Sequence, residues 1–328
     1  MTLPTGAYPK LVFFGEAMIE HRVDGSRHFG GDTLNTAWYL AQLMNHQTHP
    51  LAQLFYATAI GTEPSSLAFK HLLKKVKINP VLLIQHQEKE IGKYWLTTDE
   101  AGERYFRYQR DDSAAKYYFT LDEPLTAQLL HKQVDMIYLS GISLAILSEP
   151  QLRHLIHALK VFKKQGGQVF FDNNYRPELW QNRHAPPWYL AVMALADIAF
   201  LTVQDELDVY GLRDLKDIVP FHLKQPSSPG LFILRRGKQP CLAYRKAGDY
   251  WHSSPAIALD TEQIVDTCAA GDAFAAGVLA MFLRQAPLEN AIAFGHRVAA
   301  EVIQHHGALI NPECLPRLDS EEYYCDEN

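Results

Sequence analysis

The sequence is poor in cysteine. The four present, Cys241, Cys268, Cys314 and Cys325, show no C-x-x-C spacing, which argues against a disulfide-stapled scaffold and fits free thiols in a reducing cytosol. Cys268 is expected as a small buried thiol. No apolar run is long enough to cross a bilayer, and Met1 to Lys10 lacks a signal-peptide core, so a cytoplasmic protein without a membrane partner is expected. Basic residues cluster only as the pairs Lys74-Lys75, Lys163-Lys164 and Arg235-Arg236, and the formal net charge is -6; no nucleic-acid partner is expected. There is no G-x-x-x-x-G-K-[ST] and no G-x-G-x-x-G after the first strand, which argues against P-loop and nicotinamide folds. The fifteen histidines include His154/His157 and His305-His306 but no H-E-x-x-H and no companion cysteines, so packing or solvated histidines are expected there rather than a metal site.

What is present is ordinary core material. The 328 residues, 47% hydrophobic and 21% charged, suffice for one large core or a core plus a smaller lobe. Leu11-Val12-Phe13-Phe14, Met136-Ile137-Tyr138-Leu139, Gln168-Val169-Phe170-Phe171, Ile198-Ala199-Phe200-Leu201 and Leu231-Phe232-Ile233-Leu234 read as buried strands. The helical stripe Leu152, Leu155, Ile156, Leu159 and Phe162, closed by Gly166-Gly167, lies between two of them. Apolar strands separated by helices predict an α/β fold with a parallel sheet covered on both faces. Ligands of such sheets gather at the strands' carboxyl ends, where Asp172 to Arg176, Thr202 to Glu206 and Arg235 to Gly237 fall. Cys241 to Ser254 reads as an appended hairpin.

Two aromatic, β-prone runs, Ile91 to Thr98 and Arg104 to Arg110, predict a second hairpin joined through Asp99 to Glu103. Tyr94, Tyr108 and Arg110 are assigned to its inner face as a cover for a polar ligand, with surface aromatic pairing as the alternative.

Two glycine-containing loops carry the chemistry. In Phe29-Gly30-Gly31-Asp32-Thr33-Leu34-Asn35 the glycines permit close backbone approach, Asp32 or Thr33 opens a helix with Ala37, Leu40, Ala41 and Met44 inward, and the Asn35 amide can donate to and accept from a sugar hydroxyl. In Val265 to Gly277, a small-residue turn leads into a helix whose apolar face is Phe274, Val278, Met281 and Phe282. Free N–H groups at its first turn, over Ala269, Ala270 and Gly271, can hold an anion. A carboxylate there, Asp272, is either a helix cap or a base that deprotonates a hydroxyl attacking phosphorus.

Taken together, Gly30-Gly31 with Asn35 and Asp266-Thr267 through Gly271-Asp272 make the chain resemble the ribokinase-like (PfkB) sugar kinases over nearly its whole length. The resemblance implies a doubly wound, mostly parallel sheet flanked by helices with a small β lid. It implies a single domain, 1–328, whose lid is formed by about 16–30 and 91–112. The words Phe29 to Asn35, Tyr138 to Leu147, Phe171 to Pro177 and Asp266 to Asp272 are similar to the bacterial branch that phosphorylates 2-dehydro-3-deoxy-D-gluconate at its 6-hydroxyl. By that resemblance Asp272 is the general base. Gly31, Asp32, Asn35, Tyr94, Tyr108, Arg110 and Arg176 hold the sugar acid, and Ala269, Ala270 and Gly271 form the anion hole. Asn174, Thr202, Arg235 and Gly237 line the nucleotide. ATP with Mg²⁺ is implied, and a monovalent cation is left open.

Three positions depart from the family pattern: Ala269 replaces the usual first glycine, Asp205 stands where an N-x-x-E segment carries its glutamate with Glu206 one place late, and Gln109 replaces an aromatic residue. Asp205 is the one metal-organising candidate. Arginines suit a carboxylate end better than a neutral hexose, which favours an acid sugar over ribose or fructose. A fructokinase or ribokinase type of the same fold, and a non-catalytic sugar or nucleotide sensor, are the alternatives; the exposed lid edge predicts a homo-oligomer.

Overall fold

The computed structural model describes residues 8–22, 24–45, 47, 50–98, 104–121, 124–181 and 183–318. The apolar runs do become the centre of the molecule. β1 (Lys10–Phe14), β4 (Gln53–Ile60), β9 (Met136–Ser140), β10 (Gln168–Asp172), β11 (Ile198–Thr202) and β12 (Leu231–Arg235) lie side by side in the order β4-β1-β9-β10-β11-β12, all parallel. β5 (Ile78–Asn79) and β6 (Leu83–Gln85) extend the β4 edge. At the other edge β13 (Cys241–Arg245) and β14 (Tyr250–Ser254) add antiparallel, the expected appended hairpin.

Alternation along the strands separates two cores, because successive side chains of a strand leave on opposite faces. Leu11, Phe13, Met136, Tyr138, Phe170, Ile198 and Phe200 pack with the helices Asp32–Met44, Ala270–Leu283 and Leu288–Val302. Val12, Phe14, Ile137, Leu139, Val169, Phe171, Ala199 and Leu201 pack with Glu149–Lys164 and Pro186–Met193 on the other side. Ser148 and Gln151 form a capping box at the start of Glu149–Lys164, and Gly167 N closes its end on Phe162 O at 2.9 Å.

One expectation needs correcting. The helix Ala270–Leu283 does not present a single apolar face: apart from the half-buried Phe282, every residue from Ala273 to Leu283 is buried, because the sheet, Asp32–Met44 and Leu288–Val302 enclose it. Its small residues allow this. A Cβ placed on Gly277 would lie 2.9 Å from Gly295 Cα, so the two helices meet at backbone contact.

A second, four-stranded sheet stands apart in the order β3-β2-β7-β8: β2 (Met18–Arg22), β3 (Arg27–Gly30), β7 (Gly92–Thr98) and β8 (Arg104–Gln109). β2 and β7 are parallel, whereas β2–β3 and β7–β8 are antiparallel, with Tyr94 directly opposite Tyr108. The turn expected at Asp99 to Glu103 lies outside the described residues, as does Cys325.

Candidate active site

The two glycine-containing loops converge. Gly31 caps the helix Asp32–Met44 with φ 123°, and a Cβ there would sit 2.3 Å from Glu16 O; only glycine permits this turn. The turn puts Asn35 one helical turn in, facing the second loop. Asn35 Nδ2 donates to Asp272 Oδ2 at 2.8 Å across 237 positions of sequence, while Asn35 Oδ1 is buried without a hydrogen-bond partner among the described residues.

Asp272 is the third residue of its helix, and no side chain caps that terminus. It is therefore not the cap. Ala269 occupies the cap position in the left-handed region, φ 59°, a conformation that costs an alanine roughly 1–2 kcal/mol and a glycine nothing. Ala270 and Gly271 follow as the first helical residues, so Asp272 stands in the first turn, where backbone N–H groups lack partners within the helix.

The strand ends supply the floor. Asp172 accepts from both ends of the Arg235 guanidinium, at 2.8 and 2.6 Å, and from Tyr138 OH at 3.0 Å. Arg235 also reaches Gly271 O and Thr202 Oγ1, each at 3.1 Å. Its charge, assigned from sequence to the nucleotide, is thus committed to Asp172 and braces the Asp272 turn. Asn174 donates from Nδ2 to Asp32 Oδ2 at 2.7 Å. Gly237 lies exposed in the turn after β12.

Burial, followed by the nearby Asp32 charge, pushes Asp272 well above the usual carboxylate range, against the Asn35 hydrogen bond. Asp32 is raised as well, mainly by burial and partly by Asp172. Asp205 is half-buried and raised by burial, although Tyr175 N donates to its Oδ2 at 3.0 Å and Arg176 opposes the shift. Glu206, one place on, is wholly buried and faces Asn173 and His222, at 3.1 and 2.6 Å; the displaced acid is a packing element.

The second sheet brings its own residues. Tyr94 is buried with its hydroxyl on Glu20 at 2.6 Å and its ring centroid 5.9 Å from that of the half-exposed Tyr108. Burial, then Glu20, raises the Tyr94 hydroxyl. Tyr108 feels both Arg110 and Arg176, which oppose the rise that burial causes. Arg110 is buried and paired with Glu16, which also accepts from Ser113 Oγ at 2.5 Å; Arg110 Nε has no partner among the described residues. Arg176 is exposed, with Nη1 on its own neighbour's carbonyl, Tyr175 O, at 2.7 Å. Gln109 is exposed and Cys268 is only half-buried, not enclosed as expected. Sequence reasoning missed Glu16 and the hydroxyl of Tyr138, and it placed Asp172 and Asn173 in a strand-end segment of the site without giving either a role.

Known proteins resemble the chain over nearly its whole length. The pfkB family carbohydrate kinase model matches residues 7–314. The chain belongs to the pfkB family of carbohydrate kinases. It is 38% identical to the 2-dehydro-3-deoxygluconokinase of Dickeya dadantii, over 93% of this chain and 98% of that one. It is 36% identical to the protein of the same name from Escherichia coli K12, over 94% and 99% of the two chains. Among solved structures, a putative ribokinase II from E. coli in complex with ATP and Mg²⁺ superposes with a TM-score of 0.77 at 17% identity, covering 94% of this chain and 96% of that one. The ribokinase-like fold expected from sequence is thereby established. Among the described residues no helix is long and apolar enough to cross a membrane.

Proposed function

We propose that this pfkB kinase transfers the γ-phosphoryl group of ATP to the 6-hydroxyl of 2-dehydro-3-deoxy-D-gluconate. The observation that carries the reading is the Asn35–Asp272 contact: one amide orients the base through Nδ2 and keeps a buried, unpartnered Oδ1 for a sugar hydroxyl. The two relatives of that name support the substrate, since each aligns over nearly the whole chain.

Asp272 accepts the proton of the 6-hydroxyl, whose oxygen attacks the γ-phosphorus in line while the bond to the β-phosphate oxygen breaks and ADP leaves. The first-turn amides at Ala269, Ala270 and Gly271 take up the charge on the migrating group. Asp32 and Asp172 lie close enough to act on Asp272, and Asp172 on Asp205, a gathering of carboxylates that fits a divalent cation arriving with the nucleotide, with Asp205 as its organiser. Mg²⁺, when bound, neutralises charge on the phosphates. The second sheet, formed by about 16–30 and 91–112, serves as a lid on a single kinase domain and excludes water from the transfer. Tyr94, Tyr108 and Arg176 lie on the sugar-acid side, and Asn174, Thr202 and Gly237 on the nucleotide side.

The acid end of the sugar engages Arg110, whose unpartnered Nε supports a second anionic contact beside Glu16. Arg110→Lys keeps Glu16 paired but removes the planar fork. It should raise KM for the sugar acid by about tenfold to a hundredfold, the worth of a charged hydrogen bond, and leave any slow turnover of fructose or ribose unchanged. ATP-coupled assays on a panel of sugar acids and neutral sugars check this; a parent enzyme that prefers fructose over every acid refutes the substrate.

The lid sheet ends in two outer strands, β3 and β8, and an unpaired strand edge is a template for a second copy. A homo-oligomer through the lid is expected by light scattering, and a monomer at micromolar concentration contradicts it.

A further inference from the structure

Beyond the catalytic cleft, three donor side chains of different chemistry gather after the helix Leu288–Val302. Glu301 lies in its last turn, His305 four residues on, and Cys314 ends the short turn Pro312–Cys314. Their ligating atoms all lie within 4.8 Å of one another, and all three residues are half-buried. His305 Nε2 is 2.8 Å from Glu301 Oε1, and Cys314 forms no disulfide among the described residues.

We propose that Glu301, His305 and Cys314 form a three-ligand Zn²⁺ site with a fourth position open to water. The donor set selects the ion. Thiolate, imidazole and carboxylate together suit zinc, whereas Mg²⁺ and Ca²⁺ require oxygen donors throughout. Zinc displaces the thiol proton to solvent and takes the imidazole in its neutral form. Partial burial leaves a route of entry while limiting competition from water. The histidine pair lacked a nearby cysteine in sequence spacing, but the chain doubles back: Asn311 Oδ1 caps Glu313 N at 3.2 Å, and Cys314 N closes on Asn311 O at 3.1 Å, which carries the thiol to His305.

The position gives the ion a structural role. Ile303, between two of the ligands, accepts from Val265 N at 2.8 Å and Asp266 N at 3.1 Å. Gly307 N donates to Asp266 Oδ2 at 2.8 Å, and Cys268 N to Asp266 Oδ1 at 2.9 Å. Zinc therefore ties together the segment that braces the loop leading to Asp272.

The test uses full-length enzyme stripped by a chelator and titrated with Zn²⁺ against a chromogenic competitor. Wild type should hold one equivalent, with affinity falling about tenfold or more in His305→Ala and in Cys314→Ser. Loaded with Co²⁺, wild type and Cys268→Ser should show a thiolate-to-cobalt charge-transfer band that Cys314→Ser lacks, and Zn²⁺ should raise the Tm of wild type but not of Cys314→Ser. Failure of folded wild type to hold one equivalent, or a band that survives Cys314→Ser or vanishes in Cys268→Ser, overturns the assignment.

Discussion

Asp272→Asn is expected to lower kcat for the sugar acid by about 10²–10⁴-fold, the usual contribution of a positioned general base, with little change in sugar binding. The amide is isosteric and can still pair with Asn35, so the loss isolates proton abstraction from positioning. Charge makes the prediction sharper. The carboxylate is raised by burial and by Asp32, so in the free enzyme it ionises only well above the usual carboxylate range. Activity requires the ionised form; kcat/KM for the sugar should therefore fall on the acid side through a limb lying far above pH 4, and Asp272→Asn should lose that limb.

Stability should move in the opposite direction. An acid whose folded pKa exceeds its unfolded value favours folding most below the unfolded pKa, and that contribution is lost as pH rises through the folded one. At pH 8 without nucleotide, Asp272→Asn should thus raise Tm in calorimetry while removing turnover, the familiar conflict between a functional charge and a stable core. Turnover within a few-fold of the parent would end the general-base assignment.

The second large effect concerns Arg235. Asp172 and Arg235 are both largely buried, with side-chain exposures of 3% and 13%, and the pair is bidentate. Removing one partner leaves an uncompensated buried charge. Arg235→Met should cost about 3–5 kcal/mol of unfolding free energy, read from denaturant midpoints at unchanged slope. Because Arg235 also holds Gly271 O and Thr202 Oγ1, kcat should fall with stability. Asp172→Asn with Arg235→Met should recover much of the stability, since no lone charge remains, without restoring the brace on Gly271. A single variant as stable as the parent would show that Asp172 is compensated by some other group.

How much of this was legible in the sequence depends on the range of the interaction. Local signals worked: Leu11 to Phe14 stopped by Gly15, the Gly166-Gly167 helix end and the Tyr94/Tyr108 ribbon all appear where residue type and spacing put them. Gly31, Asn35 and Asp272 could be named because each sits at a helix start with a recognisable preceding turn. Their meeting needed the resemblance, since nothing in a period of two or 3.6 residues links positions 237 apart. Arg110 was named but its partner Glu16, 94 positions away, was not, because a buried ion pair leaves no local pattern. The large residues of the Ala270–Leu283 helix were read as one apolar stripe and its small ones as room for another backbone, which Gly295 takes up; that neighbours close on every side was not legible from the stripe. Cys314 was discounted for the same reason that Glu16 was missed: a turn, rather than a spacing, brings it to His305.

The crossing of Gly277 and Gly295 has a reach longer than its size suggests. Asp272 stands five positions before Gly277, about 7.5 Å along the axis at ~1.5 Å per residue, and the 2.9 Å clearance between a Gly277 methyl and Gly295 Cα leaves no space for one. Two missing side chains therefore act as the depth stop of the helix that carries Asp272. The height of that carboxylate is machined at a helix crossing rather than in the loop that presents it.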